Sequence, residues 1–107
     1  MTRVRQEELG GAIERIERME AALDACHWAT EALERQLDRM DALKDDMTEL
    51  FRYYGSEDWH ADREAPIPDV VKAGVLSEDS VYDEITAVRE AAIHMLELAA
   101  DILKNRI

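Results

Sequence analysis

Three observations predict an all-α chain. Ala12 to Tyr54 contains no glycine and no proline, and its apolar residues step by three and four. A second stretch, from about Ser80 to Asn105, repeats that spacing on one face. Only 4 Gly and 2 Pro in 107 residues leave little room for the hairpins an all-β fold requires. The expected architecture is a long N-terminal helix over about residues 5–54, a structured connector at 55–79 and an antiparallel C-terminal helix over about 80–105. All of it reads as a single domain, completed as a helical bundle by dimerisation.

The first helix carries two apolar registers. One is Leu9, Ile16, Leu23, Thr30, Leu37, Lys44 and Phe51; the other is Ala12, Met19, Cys26, Leu33, Met40, Met47 and Tyr54. They behave as the two seam positions of a heptad repeat. Glu14 with Arg18 and Glu31 with Arg35 are spaced to pair at i,i+4, and Asp41 with Lys44 at i,i+3. A break near Asp24 to Thr30 would lack both a capping box and a glycine, so one continuous helix is expected.

Gly55 stands where a helix C-terminus favours glycine. The connector has turn chemistry at Gly55-Ser56, at Pro66 and Pro68, and at Gly74. It also holds Trp59, Ile67, Val70, Val71, Val75 and Leu76, too apolar a set for a flexible tether. Asp69 to Ala73 is a candidate single helical turn, with Pro68 near its start. Tyr54, Trp59, Val75, Leu76 and Tyr82 are the expected packing residues. The last helix is expected to start near Ser80, where Ser80-Val81-Tyr82-Asp83 resembles a capping box, with Ser77 as the alternative start. Its stripe runs Val81, Ile85, Val88, Ala92, Met95, Ala99 and Ile102, and Lys104 and Arg106 suit the negative end of the dipole.

The second helix spans about half the first. A single antiparallel pairing would leave the row around Leu9, Ile16, Leu23 and Leu33 facing water, and a second copy of the chain is the simplest cover. Trp28 points away from that seam, with Ala21, Ala25 and Ala32 at helical spacing around it. It is either a contact surface for another chain or a half-exposed ring lying along its own helix.

Composition excludes several functions. The 25 acidic and 13 basic residues give a net charge of -12, so direct nucleic-acid binding is not expected. Residues 55–79 are the most acidic per residue, which would suit solubility or a basic partner. One cysteine excludes an intramolecular disulfide framework and a cysteine zinc site, and a lone thiol suits a reducing cytoplasm. Met1 to Gly11 has no apolar core of a secretory signal, and no stretch is long and apolar enough for a membrane span.

No motif specifies catalysis. His60 and Asp62, near Glu57, Asp58 and Glu64, are metal-ligand residue types, but one histidine among loop carboxylates does not fix a coordination geometry. Glu14, Glu17, Glu31 and Glu34 resemble the carboxylates of a di-iron bundle, but no Glu-x-x-His occurs in the seam. Glu90 to His94 is one residue too long for that spacing. Cys26 and His27 are adjacent, hence about 100° apart on a helix and ill placed for a dyad. His27 and His94 read as residues packed in or at the edge of the core. No enzyme activity, metal or cofactor is expected.

Two separated blocks, Tyr53-Tyr54-Gly55-Ser56-Glu57-Asp58-Trp59 and Gly74-Val75-Leu76-Ser77-Glu78-Asp79-Ser80-Val81-Tyr82, resemble the signature of a family of small uncharacterised acidic bacterial proteins, a domain of unknown function. The resemblance runs from about Ile13 to Leu103. It implies a long acidic helix, this connector and a second helix in a bacterial cytosolic protein, and brings no activity or catalytic residue. Three functions remain in contention: a homodimeric helical protein-protein interaction module, an acidic decoy of a basic nucleic-acid-binding protein, and a metal-binding protein or enzyme using His60 and Asp62.

Overall fold

The computed structural model describes residues 3–105; Arg106, named above as a helix-end cation, lies outside them. Among the described residues there is no strand. Helix α1 is Arg3–Tyr53, α2 is Glu57–Glu64, a single 3-10 turn covers Gly74–Leu76, and α3 is Glu78–Lys104. Residues 1–44 and 45–107 form two compact units, the division falling within α1.

In the first unit α1 is unbroken through Asp24 to Thr30. Continuity follows from composition: nothing between Ala12 and Tyr54 removes a backbone donor or competes for one strongly. Large apolar side chains stand in solvent along this segment: Ile16 is 60% exposed and Leu23 62%. Leu37 and Met40, further along the same registers, are half-buried. Asp41 and Lys44 pair at 3.3 Å as their spacing requires, while Glu31 takes His27 at 3.4 Å rather than Arg35.

In the second unit α1 ends at Tyr53, and Gly55 adopts φ 78°. That conformation costs an L-residue about 1–2 kcal/mol, which glycine escapes. The connector differs from the expected run of turns, because α2 forms within it. Ser56 caps α2, its Oγ accepting from the Trp59 N–H at 3.2 Å, and Glu57 and Asp58 occupy the positive end of the dipole. Ala65, extended at ψ 148°, ends it immediately before Pro66, which disfavours helical geometry in the preceding residue.

Asp69 to Ala73 is not helical; Pro68 closes a turn by accepting from the Val71 N–H at 3.0 Å, and the helical turn forms later, at Gly74–Leu76. The start of α3 also differs from Ser80. Its N-cap is Ser77, whose Oγ accepts from the N–H groups of Asp79 and Ser80, each at 3.2 Å. Ser77 wins because it places Glu78 and Asp79 in the first turn, where acids favour the dipole. At the other end the Asn105 N–H reaches the Asp101 and Leu103 carbonyls.

Candidate functional site

Two constellations stand out, one in each unit. The first is a knot around Trp59. Along α2, residues three and four apart share a face, so Trp59, Asp62 and Arg63 project together. Trp59 turns inward and is 4% exposed, one of two buried apolar side chains among the described residues, with Val81. Its indole N–H donates to the Val75 carbonyl at 3.0 Å, which settles the ring's one polar atom. Tyr54 meets the ring edge-on at 5.1 Å, His60 does so at 5.0 Å, and the Arg63 guanidinium lies 4.7 Å from its centre.

Hydroxyls and charges close the knot. Tyr54 donates to the Glu78 carbonyl at 2.9 Å, and Arg63 reaches the Glu78 carboxylate at 3.4 Å. Tyr53 donates to Asp62 Oδ2 at 2.6 Å. That hydrogen bond to a carboxylate favours the neutral phenol, and with burial and the charges of Asp62 and Asp58 it pushes the Tyr53 pKa up to about 12.

Of the five residues expected to pack the connector, Tyr54, Val75 and Leu76 are half-buried and Trp59 is buried, but Tyr82 is 60% exposed. Val81 takes the inward position, and its neighbour is turned about 100° away on the same helix. Sequence reasoning missed Tyr53, Asp62 and Arg63 as partners. The signal was the Ser56-Glu57-Asp58 helix start, which makes Trp59, Asp62 and Arg63 one face.

The candidate metal ligands are not brought together. His60 and Asp62 are two residues apart on α2, about 200° around the axis, and Asp62 is held by Tyr53. Among the described residues no group of three or more His, Cys, Asp or Glu side chains is placed to hold a metal ion. His27 and His94 are exposed rather than packed, as is Cys26, placed in the seam by its register. An open hollow of about 170 Å³ lies beside the knot, lined in part by Tyr53, Ile67, Val71, Val75 and Leu76. It falls below the usual size of a small-molecule pocket, and of its two charged lining residues, Asp62 and Lys72, the first is already held by Tyr53.

The second constellation is the exposed apolar surface of α1 in the first unit. Leu9, Ile16, Leu23 and Leu33 are all exposed, with Ile13 and Met19 between them. Trp28 is 65% exposed and stacks edge-on to the His27 ring at 5.4 Å. Solvent-facing apolar residues at heptad spacing form a continuous stripe rather than scattered surface residues.

No described helix is long and apolar enough to cross a membrane. No curated protein and no solved structure matches the chain. A family model described as a domain of unknown function, DUF4298, matches residues 16–98, a span that takes in the Trp59 knot and the stripe from Ile16 to Leu33. The match covers well over half of the sequence, and the chain belongs to the DUF4298 family.

Proposed function

We propose that this protein is a non-enzymatic helical module that works by binding another macromolecule through the first unit of α1. The observation that carries the reading is the row of large apolar side chains left in water there: Leu9, Ile16, Leu23 and Leu33 on the seam, and Trp28 on a separate face. Exposed apolar surface of this extent opposes solubility, and covering it contributes about 25 cal/mol per Å². No cofactor enters the reading. A cytoplasmic setting suits the single thiol, and the charge of -12 disfavours direct contact with nucleic acid.

Capture from a bacterial lysate on the tagged chain, at low and high salt, tests it. A partner retained at high salt and lost on Trp28→Ala supports the module. Capture that salt abolishes and Trp28→Ala leaves intact points instead to an acidic decoy for a basic protein, whose contacts are screened. A stoichiometric transition metal that disappears on His60→Ala would establish the metal-dependent alternative.

A further inference from the structure

The stripe has flanks, and their charges choose its occupant. In the heptad frame of Leu9, Ile16 and Leu23, Arg15 lies immediately before the seam residue Ile16, and Glu20 immediately after the seam residue Met19. They border the seam on opposite sides, five residues apart. Among the described residues neither has an ion-pair partner within its own chain. A five-residue offset is the spacing at which flanking positions of two parallel, in-register helices meet.

We infer that the exposed stripe from Leu9 to Leu33 is covered by a second copy of this chain, as a parallel, in-register coiled coil. Arg15 of each helix then faces Glu20 of the second copy, giving two opposite-charge contacts per dimer. The remaining flank pairs of the stripe carry no repulsion: Glu8 meets Ile13, Ala22 meets His27, and Ala29 meets Glu34. The antiparallel arrangement covering the same stripe sets Leu9 against Leu33 of the second copy. It brings Glu20 against Glu20 at its centre, a like-charge contact that disfavours that orientation.

The size of the stripe suits a modest dimer. Covering Leu9, Ile13, Ile16, Met19, Leu23 and Leu33 on both copies removes on the order of 1,200 Å² from water, the low end for a specific interface. Ala12 and Thr30 are weak seam residues, so dissociation falls in the micromolar rather than the nanomolar range. This inference rests on the interaction module and names one occupant for its seam. Trp28 lies on the opposite side of the heptad and stays open, available to a different partner.

Cys26, the chain's single cysteine, is a seam residue and reports the orientation. In the parallel dimer the two Cys26 thiols face each other, within disulfide reach. In the antiparallel one Cys26 faces Ile16 of the second copy. The full chain is tested by sedimentation equilibrium at 1–100 μM (about the range set by such an interface) and by oxidation with glutathione disulfide. Two Cys26 thiols are oxidised to one intermolecular disulfide as one glutathione disulfide is reduced to two thiols.

The expected results are a micromolar dimer, near-complete cross-linking that Cys26→Ser abolishes, and a several-fold weaker dimer on Glu20→Arg. Adding Arg15→Glu to that variant should restore association. Leu23→Asp should give a monomer whose helical circular dichroism establishes that it still folds. A folded wild-type monomer throughout the range overturns the second copy as occupant. A dimer that neither cross-links through Cys26 nor responds to the charge swap overturns the parallel register. Neither result touches the module itself, which stands or falls on capture by Trp28.

Discussion

The Trp59 knot and the exposed apolar surface of α1 use the same residue types to opposite ends. Trp59 is 4% exposed and Trp28 65%. The difference lies in what surrounds each ring. Trp59 has a carbonyl for its N–H, a tyrosine edge and a guanidinium, supplied by three separate segments. Trp28 has its own neighbour, His27. One ring is finished by the chain that carries it, and the other stands largely in solvent.

Substitution at Trp59 should break the contrast most severely. Trp59→Ala is expected to destabilise by about 2 to 4 kcal/mol in a thermal or urea melt, because it empties the centre of the knot. Trp59→Phe keeps most of the ring and loses the donor to Val75, for about 1 kcal/mol. No loss on Trp59→Ala would mean that the connector is only a tether.

The helix start beside the knot comes next. Ser77→Ala should cost about 1 kcal/mol, since it removes the acceptor for two N–H groups, while Ser80→Ala should cost only a few tenths. Equal losses, or a larger one at Ser80, would restore Ser80 as the start of α3.

Alkaline pH probes the knot's edge. The Tyr53 pKa is raised from 10.0 to about 12, so its bond to Asp62 contributes stability that is fully present below pH 10. The contribution is lost as pH rises through about 12. Spectrophotometric titration should find a late tyrosine step near pH 12 that Tyr53→Phe removes. A titration that Tyr53→Phe leaves without loss of a late step would show that the bond does not hold in solution.

Trp28→Ala should have the smallest effect on stability, within about 0.5 kcal/mol in the free chain. A loss comparable to that of Trp59→Ala would mean that both rings serve the fold and that the distinction between the two regions is false.

Much of this was legible in the sequence. The all-α class and the unbroken long helix follow from a stretch free of glycine and proline with heptad spacing. Gly55 marked the end of α1. The knot was only half legible. Trp59 announced itself as an apolar residue in an acidic connector, yet the acids around it concealed α2. Glu57 and Asp58 look like loop carboxylates until Ser56 is taken as a cap. Tyr82 misled because it follows Val81 in a matching block, and only helical geometry says that adjacent residues cannot both turn inward. His27, Cys26 and His94 show the limit of periodicity: a heptad assigns a face without saying whether anything covers it.

The two longest reaches in the knot end on main-chain oxygens, Trp59 on Val75 and Tyr54 on Glu78. Every amino acid supplies a carbonyl, so identity is demanded at the donors and not at the acceptors. Position 75 is constrained by bulk, since its side chain is half-buried, and position 78 chiefly by its contact with Arg63. Positions 75 and 78 can therefore drift in sequence more freely than Tyr54 and Trp59, an asymmetry that a saturation mutagenesis map would display as intolerant columns at the two donors and more permissive ones at the two acceptors.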